Sequence, residues 1–196
     1  MKVAFNSYLF VFGIWTSKEM SETPNAKHLV IFDFDYSIVD CNSDTFVNSL
    51  CPDSIVPERV NKEYDGNNWT QYMAELFKYL HECGVRRDDY EKCLVKMPFV
   101  KGLNDLILNL KPKNNADDDD SCGEDEYELI IISDSNSFFI ETFLEYNGME
   151  NVFRKVYTNP ASFDTDGCLI INEYQRQTFC NISAVNICKG HVLQEY

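Results

Sequence analysis

The stretch "HLVIFDFDYSIVD" at residues 28–40 runs an apolar segment straight into two aspartates, one residue apart. A short apolar run without polar interruption reads as a strand buried on both faces, the kind found in parallel sheets. In an open α/β sheet, ligands bind beyond the carboxyl ends of the strands. Asp33 and Asp35 therefore fall where such a fold does its chemistry, and a plain surface turn would need no apolar run to deliver them.

The rest of the chain supplies the partners of that strand. From about Asp44 to Leu110 the pattern is helical. "WTQYMAELFKYL" sets Trp69, Tyr72, Met73, Leu76, Phe77 and Leu80 on one apolar stripe, whose expected role is packing. "HECGVRRDDYEKCLVKM" carries a glycine stop and then a further helix. "YELIIISDS" is a second buried strand, and "NSFFIETFLEYNG" follows as a helix closed by Asn147-Gly148. "VFRKVYTNP" is a third short strand, "GCLIINEY" a strand beyond it, and "SAVNICKGHVLQEY" starts a last helix. Strand, helical insert, strand, helix, strand is an α/β pattern with parallel pairing.

Charge bounds the partners. A formal net charge of −15 disfavours nucleic acid and anionic membrane, which would repel the chain, and fits a metal ion or a small cationic molecule. Part of it is local, since "ADDDDSCGEDEYE" (116–128) holds eight acidic residues and reads as a solvated loop. It lacks the ordered oxygens, central glycine and distal glutamate of a calcium loop.

Eight cysteines at irregular spacings, with no C-x-x-C, read as reduced and mostly buried thiols of a cytoplasmic protein. The N-terminal "MKVAFNSYLFVFGIW" has the outline of a signal peptide. Asn6 and Ser7 interrupt it, and secretion stays the minority reading.

Three polar groups mark the strand ends and a helix start. They are Asp33 and Asp35 after the first strand, Ser133 with Asp134, Ser135 and Asn136 after the second, and Lys189 at the last helix. A nucleophilic carboxylate, a second carboxylate for proton transfer, a hydroxyl and an ammonium together suit phosphoryl transfer. Ser133 and Asn136 also fit as plain helix caps, a role compatible with holding phosphate at free backbone amides.

At these residues the chain resembles the haloacid dehalogenase superfamily of aspartate-nucleophile phosphatases, whose first motif is D-x-D-x-[TV]. "VIFDFDYSIVDCNSDT", "IIISDSNSFFI", "VYTNPASF" and "NICKGHVL" together resemble one subfamily, the phosphoethanolamine/phosphocholine and pyridoxal phosphate phosphatases. The resemblance implies an α/β parallel-sheet core, incomplete at the C-terminus, with a helical cap inserted after the first strand. Residues 1–27 would be an extension, 28–44 and 101–196 the core, and 45–100 the cap.

It further implies that Asp33 attacks phosphorus, that Asp35 moves the protons, and that Ser133 and Lys189 hold the transferring group. Mg2+ would be bound by Asp33 and the Asp35 carbonyl, and the substrate would be a small phosphate ester. Asp44 and Asp134, each just beyond a catalytic block, would either face a cationic head group or cap helices. Ser135 and Asn136 join them as candidate substrate contacts.

The chain departs from this pattern in three places. Ser37 stands where threonine is usual. "YQRQTFCNISAVNICK" keeps Cys180 and Cys188 but not the family's histidine stretch or its C-x-x-C-P. The G-D-G-x-N-D block that carries the third metal carboxylate does not occur before Tyr196, so the first strand is expected to lack a neighbour. A non-catalytic phosphate-binding relative, or an incomplete product, is the alternative expectation.

Overall fold

The computed structural model describes residues 27–64, 66, 68–110 and 126–196. Residues 1–26 of the expected N-terminal extension and most of the acidic run lie outside these residues, while Lys27 belongs to the first strand. Strand β1 (Lys27–Phe32) pairs in parallel with β2 (Glu126–Asn136), and β2 in parallel with β3 (Lys155–Asn159), giving the order β1-β2-β3.

β2 is central, and Leu129, Ile130, Ile131 and Ile132 are all buried. Their side chains alternate between two apolar clusters, as successive residues of a strand must. Leu129 and Ile131 face the larger cluster, which includes Phe139, Ile140 and Phe143 of helix α6 (numbered in chain order, Ser137–Tyr146). Ile130 and Ile132 face the smaller one with Tyr157, Ile187 and Val192, the last on helix α7 (Lys189–Glu195). A sheet covered on both faces is the expected α/β arrangement. The reading of β1 as fully buried holds only at Phe32. His28 to Ile31 are half-buried, because β1 is the edge of the sheet among the described residues.

Between β1 and β2 the chain is helical. It forms α1 (Ser43–Phe46), α2 (Glu58–Asn61), α3 (Trp69–Glu82), α4 (Arg87–Leu94) and α5 (Leu103–Leu110). The predicted stripe of α3 is buried at Tyr72, Met73, Leu76, Phe77 and Leu80. It ends at Cys83, after which Gly84 takes φ +89°, a conformation costly for other residues. α4 begins where the Asp89 carboxylate accepts the Arg86 N–H at 2.9 Å. These helices bury their apolar residues in the same cluster as Phe32, Phe34 and Phe139.

The strand expected in "GCLIINEY" forms, as β5 (Leu169–Ile171), but outside the central sheet. It pairs antiparallel with β4 (Ala161–Phe163) and lies against α3. The cause is local. β3 stops at Asn159-Pro160, and proline has no N–H to continue the ladder, so the chain turns into a separate hairpin.

The seven described cysteines are free thiols, but fewer are buried than composition led us to expect. Cys51, Cys93 and Cys188 are buried, Cys41, Cys168 and Cys180 half-buried, and Cys83 exposed. Among the described residues, no helix is long and apolar enough to cross a membrane.

Candidate active site

The parallel register Phe32↔Ile131 brings the ends of β1 and β2 out side by side, delivering Asp33 and Ser133 to one edge of the sheet. Lys189, at the start of α7, reaches the same edge and pairs with the Asp33 carboxylate; its Nζ also lies 3.4 Å from Asp134 Oδ1. The other Asp33 oxygen accepts the Phe34 N–H at 2.8 Å. Burial pulls the Lys189 ammonium toward neutrality, but the Asp134 and Asp33 carboxylates outweigh it and hold the pKa above its ordinary value.

Asp35 is held by two donors just downstream. The Ser43 N–H and the Asn42 side-chain amide each donate to one of its oxygens at 3.0 Å. Burial is the larger effect, and with help from Asp134 and Asp33 it pushes the Asp35 carboxyl up to about 7 despite those donors. A carboxyl poised there can give and take a proton near neutral pH. The loop carrying it is tight: the Phe34 carbonyl accepts from Ser37, Ile38 and Val39, and Tyr36 takes φ 56°.

Ser133 is fully buried, and its hydroxyl accepts the Ser135 N–H at 3.2 Å. Ser135 continues the network, its hydroxyl 2.8 Å from that of Ser43, which ties the end of β2 to the residue holding Asp35. Asn136 caps α6 by accepting the Phe139 N–H at 3.0 Å, and its buried side-chain NH2 has no partner. Of the two roles open to Asn136, capping is therefore filled.

Neither Asp44 nor Asp134 caps a helix. The cap of α1 is Asn42, whose side chain accepts the Thr45 N–H at 2.8 Å. Asp44 is only 4% exposed; one oxygen accepts from the Trp69 indole at 2.6 Å, and the other is buried with no partner. Burial first, and the nearby Asp35 charge second, raise its pKa well above the usual carboxylate range. Trp69 thus does more than pack. Its ring lies tilted against that of Tyr72 and meets Tyr64 edge-on, while its N–H holds the Asp44 carboxyl.

The sequence reading missed Asn42, Ser43, Trp69 and Asn159. Asn159 is 1% exposed, and its amide donates to the carbonyls of Asp134 (2.7 Å) and Ser135 (2.9 Å). Its oxygen accepts from Tyr174 N–H and from Asn186. One signal could have found it: it ends the third parallel strand, at the carboxyl edge where the other site residues gather.

Oxygen donors dominate this edge, which suits a hard cation such as magnesium. Among the described residues, no three Asp, Glu, His or Cys side chains are grouped to hold a metal ion. Magnesium commonly keeps several waters and takes only one or two carboxylates from a protein. The Asp33 carboxylate at the sheet edge fits that smaller requirement.

This parallel sheet covered by helices on both faces is the fold of the haloacid dehalogenase-family hydrolases. Such a hydrolase from Salmonella enterica serovar Typhi superposes with a TM-score of 0.54, at 13% identity, over 78% of this chain and 47% of that one. Phosphoserine phosphatase in its apo form also gives 0.54, at 17% identity, over 86% and 69%.

Within that class the chain belongs to the family described as Putative Phosphatase, whose model matches residues 28–196. It is 39% identical over 170 residues to the Bos taurus pyridoxal phosphate phosphatase PHOSPHO2, covering 87% of this chain and 66% of that one. It is 34% identical over 170 residues to the Homo sapiens phosphoethanolamine/phosphocholine phosphatase, covering 87% and 60%. The chain thus spans about two thirds of the length of the curated relatives it matches.

Proposed function

We propose that the chain is a magnesium-dependent phosphomonoesterase that acts through an aspartyl phosphate. Its substrate would be a small phosphate ester of the pyridoxal phosphate, phosphoethanolamine or phosphocholine class. The observation that carries this reading is the Lys189–Asp33 pair at the sheet edge, with Asp35 poised two residues away.

Asp33 attacks phosphorus, forming the acyl phosphate as the ester oxygen leaves. Asp35, protonated in a large fraction of molecules near pH 7, gives its proton to that oxygen. The carboxylate left behind then takes a proton from the water that hydrolyses the aspartyl phosphate. Lys189 offsets charge on the phosphoryl oxygens, and Ser133 positions them. Asp33 and the Asp35 carbonyl would hold magnesium, which when bound adds further charge stabilisation to the phosphoryl group. Residues 45–100 act as the cap that keeps water from the site.

A substrate role for Asp44 rests on its buried, unpartnered oxygen, which suits an ammonium or hydroxyl of the substrate. Asp134 fits that role less well, because Lys189 already engages it. Ser135 and Asn136 serve chiefly by shaping the turn around the phosphate.

Hydrolysis of p-nitrophenyl phosphate tests the reading. Turnover that requires magnesium and vanishes in Asp33→Asn is expected. Phosphate binding without turnover in the unaltered chain would instead make it a non-catalytic relative. Asp44→Asn should change selectivity between phosphoethanolamine and p-nitrophenyl phosphate; unchanged selectivity would remove Asp44 from substrate recognition.

A further inference from the structure

Between β5 and α7 the chain has no regular structure, and Gln177 gives it shape. Gln177 is 2% exposed. Its side-chain amide donates to the carbonyls of Cys180 (3.1 Å), Ser183 (3.2 Å) and Ala184 (3.0 Å), and its oxygen accepts the Cys180 N–H at 2.8 Å. The loop folds back so that one hydroxyl, Ser183 Oγ, lies 3.4 Å from Cys180 Sγ and 3.3 Å from Cys188 Sγ. The Ser183 N–H also reaches Cys180 Sγ at 3.4 Å.

The two sulfurs differ in access. Cys180 is half-buried, between the exposed Phe179 and Ile182, whereas Cys188 is 6% exposed. They sit unlike the other thiols too. Burial pushes up Cys41, Cys51 and Cys168. Hydrogen bonds, led by the Ser183 hydroxyl, bring Cys180 down to about 7, which leaves much of it thiolate at neutral pH. Neither sulfur has a part in the proposed hydrolysis.

We infer that Cys180 and Cys188 form a dithiol pair oxidised by hydroperoxides, with Cys180 the attacking sulfur, Cys188 the resolving one, and Ser183 Oγ between them. In the first step the Cys180 thiolate attacks a peroxide oxygen. An S–O bond forms, the O–O bond breaks, and the departing hydroxide takes back from solvent the proton the thiol gave up on ionising, leaving one water and a Cys180 sulfenic acid. In the second step Cys188 sulfur attacks Cys180 sulfur. The S–S bond forms, the S–O bond breaks, and the Cys188 proton leaves with the hydroxyl as a second water. Two thiols have lost two electrons, and the peroxide has gained them.

The geometry gives this bond a consequence. Cys188 is the residue before Lys189, so the disulfide would tether the start of α7 to the Cys180 loop, with the Ser183 hydroxyl turned out from between the sulfurs.

Both cysteines lie in one tryptic peptide, 177–189, between Arg176 and Lys189, which makes the bond directly visible. The 196-residue chain is treated with graded hydrogen peroxide, alkylated with iodoacetamide, digested and weighed. Peptide 177–189 is expected unalkylated and lighter by two hydrogens, at a lower peroxide dose than oxidises exposed Cys83, and dithiothreitol restores it. Cys180→Ser should keep Cys188 alkylated at that dose, and Cys188→Ser should leave a dimedone-reactive sulfenic acid at Cys180. Ser183→Ala, which retains both thiols, should slow formation of the bond about tenfold. Oxidation of Cys83 first, with peptide 177–189 still doubly alkylated, would overturn the inference. So would dimedone labelling of Cys188 in place of Cys180. None of these readouts depends on phosphatase turnover.

Discussion

Lys189 and Asp33 are 156 positions apart in the chain, yet the ammonium of one pairs with the carboxylate of the other. The pair closes the sheet edge, and Asp134 lies 3.4 Å from the same nitrogen. Lys189→Met keeps a stem of similar size and leaves two carboxylates facing each other without a cation. Its kcat/KM for p-nitrophenyl phosphate is expected to fall by roughly 10²–10³-fold, the scale of losing one charge-stabilising group. A loss of less than about threefold would place Lys189 outside the chemistry.

Asp35 makes stability depend on pH. Burial pushes its carboxyl up to about 7 in the folded chain from the ordinary 3.8 of the unfolded one, so the folded state binds the extra proton between those values. Its contribution to stability is full below about pH 4 and is lost as pH rises through about 7. Asp35→Asn removes the ionisation. We expect the variant to gain on the unaltered chain by about 3 °C in Tm at pH 8, and by distinctly less at pH 5, where only part of the contribution has been lost. Thermal melts at the two pH values check both the sign and the window.

Trp69→Phe preserves a ring against Tyr64 and Tyr72 but deletes the N–H that Asp44 accepts. Both Asp44 oxygens would then be without that donor inside the protein. Urea denaturation should show a loss of about 1–3 kcal/mol. The Trp69 bond favours the charged form of Asp44. The loss should therefore be greater in alkaline than in mildly acidic buffer.

Asn159 joins the carbonyls of Asp134 and Ser135 to Tyr174 and Asn186, so that one amide fastens the second strand end to the later loop. Asn159→Ala leaves several buried groups without partners, and a cost of about 2–4 kcal/mol is expected. Asn159→Asp should fare no better, since it sets a carboxylate against two carbonyl oxygens. Denaturant midpoints with unchanged m-values would confirm that the effect is on stability alone.

Much of this architecture was legible from residues 28–35 and 127–136, because an apolar run and a strand end are local signals. The same holds for α3, whose stripe repeats at helical spacing. What was not legible depends on contacts distant in sequence. Trp69 looked like one more core aromatic, and only the approach of α3 to Asp44 gives its N–H a partner. The strand in "GCLIINEY" was legible, but not its pairing with β4 in a separate hairpin, since sequence does not say what a strand pairs with. Asn42 rather than Asp44 caps α1, a difference of two residues that cap preferences alone do not resolve.

The helices between β1 and β2 share one continuous apolar cluster with the sheet and α6, in which Met73, Leu76 and Phe77 sit with Phe32, Phe34 and Phe139. Two bodies that hold such a seam in common cannot swing apart on a hinge without wetting it, at roughly 25 cal/mol for every Å² of apolar surface exposed. The Asp33 side chain, one quarter exposed beside the more open Lys189, can then be approached from solvent while the helices stay seated.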